Sequence, residues 1–135
     1  MRKTLDRAFP PNFQKVVDYI EQEKGVDVKL GGTTVYLGMT LKRIFVDYRY
    51  NLEKNGLYAL LHEVGHALQP ETNTGANFYK SIDDDKQPKK FGMYQFLNEV
   101  DAWDRGYQLA EELGIEINDT EWNKEKEEAL LTYFV

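Results

Sequence analysis

The sequence predicts an α+β fold in which a short three-stranded sheet packs on about four helices. Two observations predict this class. Apolar residues recur at helical spacing in four segments, and three shorter segments either alternate apolar with polar residues or concentrate β-branched and aromatic ones. A chain of 135 residues is long enough to bury one core and too short for two, so residues 1–135 are expected to form a single domain.

The first helix is predicted to open at Pro10-Pro11-Asn12 and to end at Gly25. Proline suits the first turn of a helix because its missing N–H has no intrahelical partner there, and glycine suits the position after the last turn. One face of this helix is apolar and consists of Phe13, Val16, Val17 and Ile20.

Three strand candidates follow this helix. Apolar and polar residues alternate over residues 26–30, Gly31-Gly32 offers a tight turn, and residues 33–37 can then return as a second strand. Residues 43–50 are the strongest candidate because they are rich in β-branched and aromatic residues.

Two further helices are predicted on either side of an unpatterned stretch. The first covers about residues 54–68, and the second covers about residues 94–113 and ends at Gly114. Residues 70–92 between them keep no period and are expected to form a loop that borders a cleft. A final helix is expected after residues 118–120, which offer an N-cap.

The composition is that of a soluble globular chain, with 41% hydrophobic and 30% charged residues. No apolar run approaches the roughly 20 residues of a membrane-spanning helix, and the basic N-terminus has no apolar segment behind it. We therefore expect neither a membrane span nor a secretory signal. The chain has no cysteine for a disulfide or a thiolate metal site, which fits a reducing, cytoplasmic location.

The charge balance argues against nucleic acid as a partner. The net charge is −6, and the only basic cluster, Lys86 with Lys89 and Lys90, directly follows the acidic run at 83–85. The sequence therefore offers no basic stripe that would release counterions from phosphates.

The most informative segment is His62-Glu63-Val64-Gly65-His66, which contains both histidines of the chain. Side chains at i and i+4 lie on one face of a helix, so the two imidazoles can converge on one metal ion at about 2.0–2.1 Å. Glu63 then lies beside the metal, where a carboxylate can take a proton from a coordinated water. The alternative is that the two histidines bind no metal and are ordinary residues of an amphipathic helix.

A carboxylate must supply the third ligand of a catalytic zinc site here, because such sites normally have three protein ligands and the chain has no cysteine and no further histidine. Glu99 is the best candidate. It lies within an apolar stripe of the predicted 94–113 helix, formed by Phe96, Val100, Trp103, Tyr107 and Ala110. A lone carboxylate there would cost several kcal/mol unless it is paired or binds a metal.

Other arrangements of the acidic residues remain open. Glu99 can instead lie at the edge of the stripe and reach solvent or a lysine. Glu71 and the acidic run at 83–85 are weaker candidates for the third ligand, because nothing in the sequence holds them rigidly. Asp101 and Asp104 lie on a flank of the same helix, where either can orient a ligand imidazole from outside the metal shell.

With these residues the chain resembles the zincin metallopeptidases, in the branch whose third zinc ligand is a glutamate on a later helix. Asn98-Glu99 matches the Asn-Glu of thermolysin-like enzymes, although Trp103 stands where their pattern has an aspartate. The order of elements is more similar to small intracellular zincins of the ImmA/IrrE kind, found in phages, mobile elements and bacteria. The resemblance covers about residues 43–110, and only residues 62–66 carry a specific motif.

The resemblance implies a zincin-like domain that hydrolyses peptide bonds. Zn²⁺ would be held by His62, His66 and Glu99 with a water in the fourth position, and Glu63 would act as general base. Iron, cobalt and manganese also suit imidazole and carboxylate ligands. The resemblance further implies an edge strand, residues 43–50, that pairs with an extended peptide substrate.

Amide hydrolysis also needs a donor that stabilises the oxyanion. Thermolysin-like enzymes use a histidine and a tyrosine, but this chain has no spare histidine. Tyr79, Tyr94 and Tyr107 remain as candidates, as does the metal alone.

Two classes of function therefore compete. The leading one is a small cytoplasmic zinc-dependent peptidase that acts on a peptide or protein, without nucleic-acid or membrane partners. The other is a catalytically silent zincin-like module that grips or inhibits a protein partner, and an acidic balance would suit a basic partner. Glu63 favours the enzyme, because a pure binding module has no chemical need of a base beside its metal.

Overall fold

The computed structural model describes residues 9–31, 36–38, 43–47, 51–70 and 88–134. The chain divides into two compact units, a first unit of Met1–Leu60 and a second unit of Leu61–Val135. The expectation of one domain over residues 1–135 stays a prediction.

Four α-helices and three short strands make up the described residues. In chain order the elements are α1 (Pro11–Lys24), β1 (Asp27–Leu30), β2 (Tyr36–Gly38), β3 (Arg43–Val46), α2 (Asn55–Ala67), α3 (Pro88–Glu112) and α4 (Asp119–Leu131), followed by a 3₁₀ turn, Thr132–Phe134. The predicted small α+β class with four helices is confirmed. Across the described ranges, no helix is both long and apolar enough to cross a membrane.

In the first unit, α1 follows the predicted bounds closely. Gly25 ends it in the left-handed region at φ 66°, where glycine has no Cβ to clash, and its N–H donates to the carbonyl of Glu21 at 2.9 Å. The predicted apolar face is the buried face, formed by Phe13, Val16, Val17 and Ile20. The helix contacts β1, so this face closes one side of the small core of the first unit.

The sheet of the first unit has the strand order β1-β3-β2. β3 pairs in parallel with β1, with Ile44 opposite Val28, and antiparallel with β2, with Ile44 opposite Leu37. The second strand predicted over residues 33–37 is present at Tyr36–Gly38, and it pairs with β3. Ile44 and Val46 are completely buried, which gives the most apolar strand the central position with a partner on each side.

The central position of β3 corrects one expectation. Residues 43–50 were expected to form an edge strand that binds an extended peptide, but Arg43–Val46 already pairs on both sides. A strand can accept a peptide only along an unpaired edge, so this part of the segment does not offer one.

In the second unit, α3 begins at Pro88, six residues before the predicted start near residue 94. Pro88 occupies the first helical position, where its fixed φ favours a helix and its missing N–H costs nothing. Residues 88–92 of the predicted loop are therefore helical, and residues 71–87 lie outside the described residues. At the other end, Gly114 at φ 72° follows the helix as predicted.

The final helix of the second unit begins as predicted. The side chain of Asn118 accepts a hydrogen bond from the N–H of Glu121 at 3.0 Å, which caps α4. Among the described residues of the second unit, the buried apolar ones are Leu61, Val64, Ala102, Trp103, Leu109, Ala110, Ile115 and Trp122.

Two glycines let α3 approach the part of α2 that belongs to the second unit. A Cβ on Gly65 would overlap the backbone carbonyl of Ala102, and a Cβ on Gly106 would lie 2.5 Å from the carbonyl oxygen of Leu61. Each helix thus contributes one glycine against the backbone of the other. The separation of the two helices is set by backbone contact, which fixes how far their side chains must reach.

We expect Gly65→Ala to lower the free energy of unfolding by about 2–3 kcal/mol. The new methyl group forces the helices apart, and this overpacking outweighs the gain of about 1 kcal/mol in helix propensity. Gly92→Ala on α3 is the matched control, because no atom lies within 4 Å of a Cβ built there. Urea unfolding should show the control unchanged or stabilised, and equal stability of both variants would refute the close contact.

Candidate metal centre

The two histidines lie on one face of α2, as their spacing predicts. Their ring centroids are 4.8 Å apart, and each side chain is largely buried, at 15% exposure for His62 and 16% for His66. Both Nε2 atoms face the same acidic residue of α3. The helical repeat therefore brings two potential ligand atoms to one point.

That acidic residue is Glu99. One carboxylate oxygen accepts a hydrogen bond from Nε2 of His62 at 2.8 Å, and the other lies 3.0 Å from Nε2 of His66. Glu99 thus pairs with both imidazoles, rather than with a lysine. Glu71 and the acidic run at 83–85, the weaker candidates, lie outside the described residues.

These contacts set the charges of the group. Burial favours the neutral form of Glu99, but the hydrogen bonds from His62 and His66 outweigh it and hold the pKa of Glu99 at about 2. Burial likewise opposes the charge on His66, yet the Glu99 carboxylate raises the pKa of that histidine. In the metal-free site, the raised pKa of His66 and the lowered pKa of Glu99 therefore favour an ion pair between these two residues.

The metal-free protein should consequently be most stable in mildly acidic solution. The lowered pKa of Glu99 stabilises the fold above its ordinary value of 4.5, and this contribution is lost as pH falls toward 2. The raised pKa of His66 stabilises the fold below 6.5, and this contribution is lost as pH rises through the raised value. Melting temperatures of chelator-treated protein should therefore be highest between about pH 4.5 and 6.5. In Glu99→Gln, the melting temperature should change less with pH on both sides of this maximum. An unchanged pH profile in that variant would contradict the ion pair.

Glu63 follows the first histidine but contacts its other ring nitrogen. Its carboxylate lies 3.4 Å from Nδ1 of His62, and its side chain is only 12% exposed. Burial is the main cause that raises its pKa, against the attraction of the two histidines. A carboxylate with a raised pKa is a better proton acceptor near neutral pH. The same contact also allows Glu63 to orient His62.

A chain of hydrogen bonds holds His66 through Nδ1, the ring nitrogen that does not face Glu99. Nδ1 of His66 lies 3.1 Å from the side-chain oxygen of Gln69, and the amide nitrogen of Gln69 donates to Asp101 at 3.0 Å and to the carbonyl of Asn98 at 2.8 Å. Arg105 donates to the same oxygen of Asp101 at 2.7 Å. With Nδ1–H directed to Gln69, Nε2 is the atom left to bind a metal.

The sequence predicted only part of this chain. Asp101 was a candidate to orient an imidazole, and it acts on His66 through Gln69; Asp104, the other candidate, is exposed. The sequence does not identify the role of Gln69, and its one signal is a polar residue that follows His66 by one helical turn. Its burial, at 9% exposure, depends on three partners that sequence spacing does not reveal.

We expect Gln69→Ala to weaken zinc binding by about 10–100-fold, because the ring of His66 loses the acceptor that fixes its orientation and tautomer. Gln108→Ala provides the control, since Gln108 is an exposed glutamine on α3. Competition with a chromophoric chelator measures both affinities. Equal affinities in the two variants would show that Gln69 does not position His66.

An aromatic stack supports the first histidine. The indole of Trp103 lies parallel to the ring of His62, with centroids 4.4 Å apart and an angle of 11°. Trp122 of α4 meets Trp103 edge-on at 5.0 Å. The stack restricts rotation of the His62 ring, and it connects that ring to the core of the second unit.

The structure changes which tyrosines are candidates for the donor that stabilises the oxyanion. The hydroxyl of Tyr107 donates to Asp119 at 2.7 Å, so it is engaged away from the triad, and Tyr79 lies outside the described residues. Tyr94 is half-buried. Tyr133 was not considered, yet burial first and the charge of Glu99 second raise its pKa, which indicates that it lies within electrostatic reach of the triad.

The donor set fits a zinc ion. Nitrogen and oxygen ligands from His62, His66 and Glu99 all lie within 4.8 Å of one another. Bonds of 2.0–2.1 Å in a tetrahedral site place neighbouring ligand atoms about 3.3 Å apart. The Nε2 atoms of His62 and His66 lie 2.8 and 3.0 Å from different carboxylate oxygens of Glu99, which are distances close to that spacing. Two imidazoles and one carboxylate also leave a fourth position open.

Comparisons with protein-family models, with curated proteins and with solved structures found nothing that matches this chain. The resemblance to zincins therefore rests on the residues themselves and on their arrangement.

Proposed function

We propose that this protein is a zinc-dependent metallopeptidase with His62, His66 and Glu99 as metal ligands and Glu63 as general base. The observation that carries the proposal is the meeting of three ligand atoms from α2 and α3, within 4.8 Å, beside a buried carboxylate. Three protein ligands with an open fourth position are typical of catalytic rather than structural zinc. The active site belongs to the zincin kind, and its substrate is a peptide or a protein.

In peptide hydrolysis, the metal ion and the protein side chains would have different roles. A bound Zn²⁺ would supply Lewis acidity, which lowers the pKa of water toward about 7 and polarises a carbonyl. Glu63 accepts the proton of the attacking water and passes it to the leaving amine. Gln69 and Trp103 keep the two imidazoles in position during this transfer, so the protein groups need little rearrangement.

A cleavage assay with defined metal content tests the proposal. The protein is stripped with a chelator, reloaded with one equivalent of zinc and incubated with a proteome-derived peptide library, and new termini are read by mass spectrometry. We expect new termini only in the zinc-loaded sample, and none with His62→Ala. No cleavage by loaded protein, or equal cleavage after chelation, would contradict a metallopeptidase.

One observation favours the alternative, a zincin-like binding module without catalysis. Glu63 approaches Nδ1 of His62 rather than the Nε2 atom that faces Glu99. In a binding module this carboxylate serves only to orient His62, and the triad stabilises a surface that grips a protein partner. The two functions make opposite predictions for Glu63→Gln, because only the enzyme depends on a proton acceptor at that position.

A further inference from the structure

Three aromatic rings form a cluster where the C-terminal turn meets α3. The ring of Phe96 contacts Phe134 at 5.2 Å and Tyr133 at 6.2 Å between centroids, in both cases edge to face. Phe96 lies on α3, and the other two belong to the 3₁₀ turn, Thr132–Phe134. We refer to Phe96, Tyr133 and Phe134 as the aromatic cluster.

Two of the three rings in the aromatic cluster are exposed, and Phe96 is half-buried. Phe134 is 71% exposed and Tyr133 is 42% exposed, and Met93, one turn before Phe96 on α3, is 49% exposed. Contiguous apolar groups on a surface commonly mark a binding site. The rings are nevertheless ordered against one another, so they offer a formed surface.

The cluster adjoins the metal triad. Phe96 precedes Glu99 by three residues on α3, which places the two side chains on one helix face about 5–6 Å apart at Cβ. The ring of Tyr133 meets that of Phe96 at 6.2 Å, and burial first and the charge of Glu99 second raise the pKa of the Tyr133 hydroxyl. A ligand held at the triad would therefore have these rings beside it.

The exposed area of the aromatic cluster indicates what kind of ligand can bind there. A fully buried aromatic side chain contributes about 150–250 Å², so the exposed parts of the cluster and Met93 offer roughly 300–400 Å². A stable interface between two proteins takes about 800 Å² from each partner. The surface is too small for a second copy of the chain, and its area suits one or two side chains of a bound peptide.

We propose that the aromatic cluster binds a bulky apolar side chain of the peptide substrate, adjacent to the bond that is cleaved. The inference rests on the proposed peptidase function and narrows its substrate class to peptides with an aromatic or long aliphatic residue at that position. Edge and face contacts with the rings, together with removal of apolar surface from water, provide the selectivity.

Amino-acid hydroxamates test the selectivity through binding rather than turnover. Their hydroxamate group chelates zinc, and their side chain reports on the adjoining surface. Calorimetry with zinc-loaded protein should give phenylalanine hydroxamate and leucine hydroxamate an affinity about tenfold above that of glycine hydroxamate. Phe134→Ala should reduce this preference several-fold and leave glycine hydroxamate unchanged.

Leu131→Ala is the matched control. Leu131 is 61% exposed, but it lies with Lys124 and Glu127 on a polar face of α4 and makes no part of the cluster. It should keep the full preference. Phe134 is mostly exposed, so its removal should leave the melting temperature nearly unchanged, and Tyr133→Ala provides a second variant of the same surface.

The outcomes separate the inference from the proposed function. If glycine hydroxamate binds and side chains make no difference, or if the preference survives in both cluster variants, the aromatic subsite is refuted and the metal site stands. If no hydroxamate binds zinc-loaded protein, the proposed function fails and the inference fails with it. Dimerisation that Phe134→Ala abolishes, measured by sedimentation, would identify a second copy as the occupant and overturn the inference.

Discussion

Glu63→Gln is expected to lower kcat for peptide hydrolysis by about 10²–10⁴-fold while leaving zinc affinity almost unchanged. Glutamine keeps the size of the side chain and its ability to accept a hydrogen bond at one oxygen, but it cannot accept a proton. The 3.4 Å approach to His62 is thus retained in shape, and only proton transfer is removed. Burial, which raises the pKa of Glu63, makes this carboxylate a suitable acceptor near neutral pH.

The experiment compares Glu63→Gln with Glu111→Gln, an exposed glutamate on α3 that loses the same charge away from the triad. Zinc content and cleavage rate are measured on the same preparations. Unreduced cleavage by Glu63→Gln would remove Glu63 as the base. Loss of zinc together with cleavage would instead assign Glu63 the role of orienting His62.

Glu99→Gln is expected to weaken zinc binding by about 100-fold or more. Structural zinc sites in small domains contribute about 10–16 kcal/mol over four ligands, so one ligand accounts for roughly 3 kcal/mol, which corresponds to more than 100-fold in affinity. The carboxylate of Glu99 faces both imidazoles, and its lowered pKa keeps it charged for binding. A neutral amide preserves the shape and removes the charge.

Asp104→Asn is the control for Glu99→Gln. It removes one negative charge from the same helix, but Asp104 is exposed and is not a member of the triad. The fluorescence of Trp103, whose ring stacks on His62, provides a titration signal beside chelator competition. Equal zinc affinities in the two variants would exclude Glu99 as a ligand.

Local signals in the sequence were sufficient to predict the helices. The Pro11 start, the glycine ends and the Asn118 cap depend on backbone chemistry that neighbouring residues reveal. The sequence predicts the start of α3 six residues late, because proline and glycine at 88 and 92 are typical of loops. In a first helical turn that proline is favourable, so the same residue supports the opposite interpretation.

Pairing between strands could not be predicted in the same way. The sequence predicts strands at residues 26–30 and 33–37 but not their neighbours in the sheet, and the chain places β3 between β1 and β2. The choice depends on which strand gains most from burial on both edges, and this is a property of the whole sheet. The most apolar strand, with Ile44 and Val46, took that position.

For the candidate site, the sequence predicted the residues that spacing controls. His62 and His66 share a helix face, and Glu99 was identified as a carboxylate misplaced within an apolar stripe; the structure brings the three together. Gln69 and Tyr133 were missed because their roles depend on contacts between distant segments. The Gly65 and Gly106 contacts, which set the separation of α2 and α3, are equally invisible to periodicity.

The most direct measurement is anomalous diffraction at the zinc edge from crystals of protein loaded with one equivalent of zinc. We predict one peak about 2.0–2.2 Å from Nε2 of His62, Nε2 of His66 and a carboxylate oxygen of Glu99. A peak elsewhere, or a Glu99 carboxylate that stays away from a metal held by both imidazoles, would contradict it.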